Sequence, residues 1–228
     1  MKINNCLICS SESNLFLIKD ELPYFKCSNC DLIFADPKSY DEFNKEFYNN
    51  KFYSDNEDEW SKEERLNLFK IILDIAIKES TSKLNIIKPS IIDFGAGIKD
   101  LAEKKEMYKK LTFFDEFFSS PYLSKKEEIQ GKTFDAMICT EVVEHVFDQH
   151  NLFKEISSFL KPNKSCFATT LLHDHNFVLN YLNPSVGHVC LHSKKSMAIV
   201  TYEYGLEHKI IPMPGLEYSH YFHVFTKK

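Results

Sequence analysis

The chain of 228 residues is long enough for one ordinary domain with a small appendage, and its 43% hydrophobic residues can form a sizeable core. Its formal net charge of −5 argues against an extended nucleic-acid footprint. No apolar run reaches the length of a membrane span, and the N-terminus lacks the apolar core of a secretory signal, so we expect a cytoplasmic protein with reduced thiols.

The first 36 residues contain two identical cysteine pairs. Cys6 and Cys9 form one CxxC turn, and Cys27 and Cys30 form a second. Each such turn presents two thiolates to one side of a tetrahedral ion, so the spacing predicts a structural zinc ribbon over residues 1–36. A segment this short buries too little surface to fold alone, and the metal would supply the folding free energy. Four core cysteines without metal are the alternative interpretation.

Residues 37–85 are predicted to connect the ribbon to the main domain. Residues 37–60 mix acids, asparagines and aromatics without a clear period, so we expect an irregular connector with short helical turns. Ser61 and Glu64 then form a capping box at the start of an amphipathic helix of about five turns.

Residues 86–228 alternate between strand and helix patterns. The predicted strands are 89–95, 110–115, 133–140, 165–172, 208–213 and 221–228. Asp148 is predicted to cap a helix that stops at Pro162, and Ser193 lies near the start of another. This alternation predicts an α/β fold, with a Rossmann-like, mostly parallel sheet and helices on both faces. The last two strands suggest a hairpin that makes the final strand antiparallel.

The stretch IIDFGAGIKD, residues 91–100, indicates the ligand. Gly95 and Gly97 are present, but a dinucleotide turn would have glycine at Asp100, and no Lys-Ser/Thr pair follows for a triphosphate loop. Asp93 at the strand end suits a cationic ligand better than a pyrophosphate. Asp115, at the end of the next strand, can accept both hydroxyls of a ribose. Together these residues select a cationic nucleoside, and S-adenosylmethionine fits that description.

Four segments resemble those of the class I S-adenosylmethionine-dependent methyltransferases. They are DFGAG (93–97), FFDEF (113–117), FDAMICTEVVEHV (134–146) and LFKEISSFLKPNKSCFATT (152–170). The resemblance covers most of residues 86–228. Two further features, the preceding zinc ribbon and the segment GHVCLHSKKSM (187–197), narrow the resemblance. They resemble a bacterial subgroup often associated with sugar, capsule or natural-product modification.

The resemblance implies which residues bind the cofactor. Asp93 would reach its ammonium, Asp115 with Glu116 would hold the ribose, and residues 140–142 would line the methionine side. The full implied set is Asp93, Phe94, Gly95, Ala96, Gly97, Asp115, Glu116, Thr140, Glu141, Val142 and Tyr53, with Tyr48 and Phe52 as further members of a lid. Two departures stand out: Lys99 replaces the usual third glycine, and residues 116–133 lack the acidic strand end that usually contacts adenine.

Histidines are the natural candidates for a base that deprotonates a hydroxyl or carbon acceptor. The candidates that follow the predicted strands 133–140 and 165–172 are His188, ranked first, His173 and His175, ranked second, and His145. Glu144 and His145 could instead cap or brace the helix that follows strand 133–140. His173, Asp174 and His175 could alternatively form a metal site.

The sequence therefore predicts methyl transfer from S-adenosylmethionine to a small-molecule acceptor, such as a sugar, a nucleotide-sugar or a capsule or natural-product intermediate. Two alternatives stay open. The chain could be an RNA or protein methyltransferase whose ribbon binds the macromolecule, although the basic residues of the ribbon are only Lys2, Lys19 and Lys26. The fold could also be a degenerate, non-catalytic binding module.

Overall fold

The computed structural model describes residues 4–41, 61–81, 88–173, 179–211 and 221–228. The strands are β1 (Asn4–Asn5), β2 (Glu12–Lys19), β3 (Leu22–Cys27), β4 (Ile33–Ala35), β5 (Ile91–Phe94), β6 (Leu111–Phe114), β7 (Phe134–Thr140), β8 (Leu160–Thr170), β9 (Cys190–Leu191), β10 (Leu206–Ile211) and β11 (Tyr221–Lys227). The helices are α1 (Lys62–Thr81), α2 (Leu101–Met107), α3 (Lys126–Ile129), α4 (Gln149–Phe159) and α5 (Lys194–Glu203).

The larger sheet has the strand order β10-β11-β8-β7-β5-β6. Strands β6, β5, β7 and β8 are parallel, and β11 is antiparallel to both β8 and β10. β5 and most of β7 are buried on both faces, which explains their continuous apolar sequences. The predictions of a mostly parallel, Rossmann-like sheet and of an antiparallel last strand are confirmed.

Two apolar clusters cover the two faces of this sheet. One cluster contains Phe69 and Ile72 from α1 and Leu101 from α2. The other contains Phe153 from α4 and Val200 from α5. Helices therefore lie on both faces, as the alternating pattern predicts.

The helix ends follow the sequence signals closely. The Ser61 backbone N–H donates to the Glu64 carboxylate at 2.7 Å, and the Glu64 N–H donates to Ser61 Oγ at 3.2 Å, which completes the predicted capping box. The Asp148 side chain accepts from the Asn151 N–H at 2.9 Å at the start of α4. One boundary differs, because α4 ends at Phe159 and β8 begins at the next residue, before Pro162.

The edge of the sheet beyond β6 is irregular. Between Asp115 and Phe134 the structure has the short helix α3 and one isolated parallel bridge, from Phe113 to Leu123. The sequence signal for a third regular strand is weak here, and the described residues contain none at this edge.

The smaller sheet combines the ribbon with a strand from the main domain. Its order is β1-β2-β3-β4-β9, and β9 pairs antiparallel with β4 through Phe34 opposite Cys190 and Ile33 opposite Leu191. One apolar cluster continues from ribbon residues such as Tyr24 to Phe153 of the main domain. The ribbon therefore shares both a sheet and a core with the segment that follows β8.

Among the residues that the structure describes, no helix is both long enough and apolar enough to cross a membrane.

Asp135 braces three strands from the start of β7. Its Oδ2 accepts from the Ser90 N–H at 2.9 Å and Oγ at 2.8 Å, and its Oδ1 accepts from Lys161 Nζ at 2.9 Å. Burial alone would raise the pKa of Asp135, but the hydrogen bonds from Ser90 and Lys161 outweigh it and lower the pKa.

We expect Asp135→Asn to destabilise the protein by about 1–3 kcal/mol at neutral pH, because charged hydrogen bonds are lost. The stabilisation is complete above the pKa of an unfolded aspartate, about 3.9, and disappears as the pH falls through the lower pKa of the folded state. Urea unfolding at a series of pH values should show the two proteins converging in acid. A difference that stays constant with pH would contradict this assignment.

Candidate active site

The glycine turn after β5 has the backbone that its sequence predicts. Gly95 and Gly97 have φ angles of +74° and +63°, in the left-handed region that glycine tolerates best. The N–H groups of Gly95 and Ala96 both donate to the Phe114 carbonyl, at 2.8 and 3.0 Å. A Cβ atom on Gly95 would lie 2.4 Å from Val142 Cγ2. The turn therefore packs directly on the loop after β7.

Asp115 connects this turn to the loop after β6. Its Oδ2 accepts from the Gly97 N–H at 2.9 Å, and its Oδ1 accepts from the N–H groups of Phe117 and Phe118 at 2.9 and 3.3 Å. A carboxylate has about four acceptor positions, and three are used here, so Asp115 can still accept from about one further donor, such as a ribose hydroxyl. Glu116, the second predicted ribose ligand, is exposed and lies 3.5 Å from Lys126 Nζ.

Asp93 has a partner that the sequence did not indicate. The residue is 2% exposed, and its Oδ2 lies 3.2 Å from Nζ of Lys104, which is on α2. Burial raises the pKa of Asp93, and the Lys104 ammonium opposes that rise. Lys104 offsets much of the negative charge on which the argument for a cationic ligand relied. The predicted contact of Asp93 with the cofactor stays a prediction.

Asp100 has a left-handed backbone immediately before α2, with a φ of +59°. Its side chain does not cap the helix but accepts from Arg65 Nε of α1 at 2.9 Å. Aspartate tolerates this region better than most residues, and its contact with Arg65 connects the end of the glycine turn to α1.

A cavity of about 390 Å³ lies beside Asp115, at the carboxyl edge of the sheet. Phe114, Phe118 and Leu123 line it together with Ser120 and Lys125. The volume falls within the usual range for small-molecule sites. Apolar and polar side chains thus line the sheet edge where the sequence lacks the acidic strand end that usually contacts adenine. The aromatic residues of FFDEFF (113–118) were a sequence signal that could have indicated this cavity.

The loop after β7 supplies the opposite wall of the turn. Thr140 ends β7, and its Oγ1 is buried with no hydrogen-bond partner among the described residues. Glu141 has a φ of +51°, and its N–H donates to the Thr169 carbonyl at 3.2 Å. The orphaned hydroxyl, the left-handed turn and the Val142 contact with Gly95 fit a polar ligand held between β5 and β7.

The rings of His145 and His188 come together beside this loop, although 42 residues separate them in sequence. Their centroids are 4.9 Å apart. His145 Nδ1 lies 3.0 Å from the Gly187 carbonyl, and His188 Nδ1 lies 2.6 Å from the Tyr181 carbonyl. Each imidazole is thus oriented by the backbone of the segment that follows β8.

Glu144 lies between these histidines and Tyr181, and it is fully buried. Its Oε1 accepts from the Tyr181 hydroxyl at 2.9 Å. Burial by itself would raise the pKa of Glu144, but the neighbouring His145 and His188 outweigh it and lower the pKa. Tyr181 is a member of this cluster that the sequence did not indicate, since it lies in no recognisable motif.

The other predicted positions lie elsewhere. His173 Nε2 is 2.6 Å from the Asp31 carbonyl of the ribbon. The Phe94 ring packs on Phe114 with centroids 5.3 Å apart, so only its backbone faces the turn. His175, Asp174 and the lid residues Tyr48, Phe52 and Tyr53 lie outside the described residues.

The four cysteines of the ribbon form one cluster. Their sulfur atoms all lie within 4.8 Å of one another, with Cys6 and Cys30 at 3.5 Å and Cys9 and Cys27 at 3.4 Å. Sulfurs about 2.3 Å from a tetrahedral zinc would have similar separations. The N–H groups of Ile8 and Cys30 also donate to cysteine sulfurs, at 3.4 and 3.3 Å. The cluster is compatible with a zinc ribbon.

The ribbon contacts the backbone of the segment that carries His188. The Tyr24 hydroxyl donates to the His188 carbonyl at 2.9 Å. The Ala35 N–H donates to the Val189 carbonyl, and the Val189 N–H donates to the Glu144 carbonyl, both at 2.8 Å. The ribbon therefore helps to fix the segment that carries His188.

A family model described as a methyltransferase domain matches residues 20–208. No curated protein sequence matches the chain significantly. A similar solved structure is 1,6-didemethyltoxoflavin-N1-methyltransferase of Burkholderia thailandensis, with bound 1,6-didemethyltoxoflavin and S-adenosylhomocysteine. It is 12% identical, with 94% of this chain and 99% of that chain covered and a TM-score of 0.52. At this identity the likeness shows the fold alone.

Two further structures are more distant. Magnesium protoporphyrin IX methyltransferase from Synechocystis PCC 6803, with bound S-adenosylmethionine, is 11% identical over 84% of this chain and 96% of that chain, with a TM-score of 0.49. An O-methyltransferase family protein from Burkholderia thailandensis is 10% identical over 83% of this chain and 70% of that chain, with a TM-score of 0.48. Neither likeness is strong enough to carry an argument.

We expect alanine at the two glycines of the turn to have unequal costs. Gly97→Ala meets no atom within 4 Å and adds only the left-handed strain, roughly 1–2 kcal/mol. Gly95→Ala adds the same strain and a collision with Val142, at a further cost of about 1–3 kcal/mol. Urea unfolding of both variants provides the matched comparison. Equal losses of unfolding free energy would contradict the close approach of the turn to Val142.

Proposed function

Because the chain belongs to the methyltransferase-domain family and is an S-adenosylmethionine-dependent methyltransferase, we propose that it methylates a hydroxyl-bearing small molecule with the help of a histidine base. The proposed acceptor is a sugar, a nucleotide-sugar or a related capsule or natural-product intermediate. The observation that carries this proposal is the meeting of His145 and His188 with buried Glu144, next to the loop that packs on the glycine turn.

The proposed cofactor site lies between β5, β6 and β7. When bound, S-adenosylmethionine supplies an electrophilic methyl group on a positively charged sulfur. The turn formed by Gly95 and Gly97 would lie along the cofactor, and Asp115 would accept from a ribose hydroxyl. Thr140 Oγ1, which has no partner among the described residues, would gain one from the ligand.

In the proposed reaction, the histidine pair removes the proton from the acceptor. An acceptor held in line with the methyl group needs a base within hydrogen-bond reach, and this positioning supplies much of the rate. The Nδ1–H of His188 faces the Tyr181 carbonyl, so its Nε2 has the lone pair that a base requires. His188 is therefore the first candidate for the base.

Contacts of the ribbon favour a small acceptor over a macromolecule. Backbone carbonyls of the cysteine turns face the main domain: Cys30 O accepts from Ser193 Oγ at 2.6 Å, and Ile8 O lies 3.0 Å from His150 Nε2. These two carbonyls are engaged within the chain and are not available to contact RNA, which favours a small acceptor. The similar Burkholderia enzyme was also solved with bound 1,6-didemethyltoxoflavin.

We also propose that Cys6, Cys9, Cys27 and Cys30 bind one structural Zn²⁺. Two cysteine turns with sulfurs 3.4–3.5 Å apart across the cluster suit a closed tetrahedral site. Four thiolates leave no open position for catalysis, so this metal would stabilise the fold. Thiolate zinc sites require reduced cysteines, which is consistent with the proposed cytoplasmic location.

Cobalt substitution tests the ribbon site. Protein produced with Co²⁺ in place of Zn²⁺ should show strong thiolate-to-cobalt absorption in the near ultraviolet, and Cys9→Ser/Cys27→Ser should lose it. Cys139→Ala, which removes a buried thiol outside the cluster, is the matched control and should retain the band. If the double variant keeps the absorption, or the parent never shows it, the four cysteines are not a metal site.

Binding and turnover together test the methyl-transfer proposal. We expect stoichiometric binding of S-adenosylmethionine in calorimetry, and S-adenosylhomocysteine release with one member of a panel of sugars and nucleotide-sugars. His188→Ala should keep the cofactor affinity and lower turnover by about 10²–10⁴-fold. Full turnover in that variant would remove His188 as the base. No binding at saturating cofactor would end the proposal as a whole.

A further inference from the structure

We propose that Glu144, His145 and His188 bind a divalent transition-metal cation that activates the acceptor hydroxyl. One potential ligand atom from each residue lies within 4.8 Å of the others. This cluster is separate from the four cysteines and lies on the acceptor side of the site. The inference rests on the proposed methyl transfer to a hydroxyl, and it replaces one part of that proposal, direct proton transfer to a histidine, with proton loss from a metal-bound hydroxyl.

Both imidazoles have the tautomer of a metal ligand. Carbonyl oxygens only accept hydrogen bonds, so Nδ1 of His145 carries the proton toward Gly187 O, and Nδ1 of His188 carries the proton toward Tyr181 O. The lone pair of each neutral ring is then on Nε2. Histidines that ligate metals almost always donate their other N–H to a carbonyl or a carboxylate in this way.

Glu144 provides a second, independent indication. It is 0% exposed, and the Tyr181 hydroxyl donates to only one of its oxygens. The other oxygen, Oε2, is buried and has no hydrogen-bond partner among the residues that the structure describes. A buried carboxylate oxygen without a donor is costly, and a cation shared with the two histidines would compensate it.

The ligand set points to a particular class of cation. Two imidazoles and one carboxylate suit zinc, cobalt or ferrous iron better than magnesium or calcium, which prefer oxygen ligands alone. Three protein ligands also leave at least one position open, as in catalytic sites, whereas the four thiolates of the ribbon form a closed site. The open position is where the acceptor oxygen would bind.

A cation at this position lowers the pKa of a coordinated hydroxyl. The acceptor O–H bond breaks, and its proton passes to bulk water. The oxygen lone pair then forms the C–O bond to the methyl carbon, while the C–S bond breaks and its electron pair stays on sulfur. The sulfur becomes a neutral thioether, so atoms and charge balance. The two histidines then promote proton loss through the cation instead of accepting the proton themselves.

Titration with Co²⁺ of protein that holds one Zn²⁺ per chain, at the ribbon, tests the site directly. We expect one Co²⁺ per chain, with weak visible absorption and without the thiolate band that displacement of the ribbon zinc would produce. Glu144→Gln keeps the size of the side chain and an acceptor for Tyr181 but loses the charge. This variant and His188→Asn should each weaken Co²⁺ binding by at least about 10-fold.

His173→Asn serves as the matched control, because its ring faces the ribbon at Asp31 O, and it should bind Co²⁺ normally. Loss of binding in that variant alone would place the metal at the alternative histidine pair and overturn the proposal. Unchanged binding in Glu144→Gln and His188→Asn would also overturn it. Methyl transfer at full rate without added metal would contradict only the proposed metal site. Cobalt binding without cofactor binding would contradict only the methyl-transfer proposal.

Discussion

One residue, Val189, connects the ribbon backbone to the segment that carries Glu144 and the two histidines of the proposed acceptor side. The Val189 N–H donates to the Glu144 carbonyl, and the Val189 carbonyl accepts from the Ala35 N–H of the ribbon, both at 2.8 Å. The residue before it is His188, and the residue after it begins β9, which pairs with β4. The ribbon is too small to fold by its own burial alone, so we expect the order of this segment to depend in part on the group that holds the cysteines together.

The other half of the site depends on a close backbone approach. Gly95 packs against Val142, so the turn after β5 and the loop after β7 face each other at the carboxyl edge of the sheet. Asp115 fixes the turn from the side of β6. The Lys104 ammonium offsets much of the negative charge of Asp93, so that charge is weak support for a cationic ligand. The backbone geometry of the turn is the stronger support for the proposed cofactor site.

Local features of the fold were predictable from the sequence. Buried parallel strands have continuous apolar sequences, and Ser61, Asp148 and Ser193 mark helix starts because their side chains accept from local N–H groups. The cysteine spacing likewise encodes the cluster, since each turn fixes two sulfurs by itself. Long-range contacts were not predictable. β9 has two residues and no period, and no local pattern brings His145, Tyr181 and His188 together.

Amide hydrogen exchange tests most directly whether the ribbon fixes the acceptor side of the site. Zinc-loaded protein and Cys9→Ser/Cys27→Ser should be compared at the amides of Ala35 and Val189, with the amides of β5 and β7 as the internal reference. Our account predicts that both amides lose protection in the variant while the reference strands keep theirs. Retained protection at Val189, in a protein whose ribbon amides exchange freely, would contradict it.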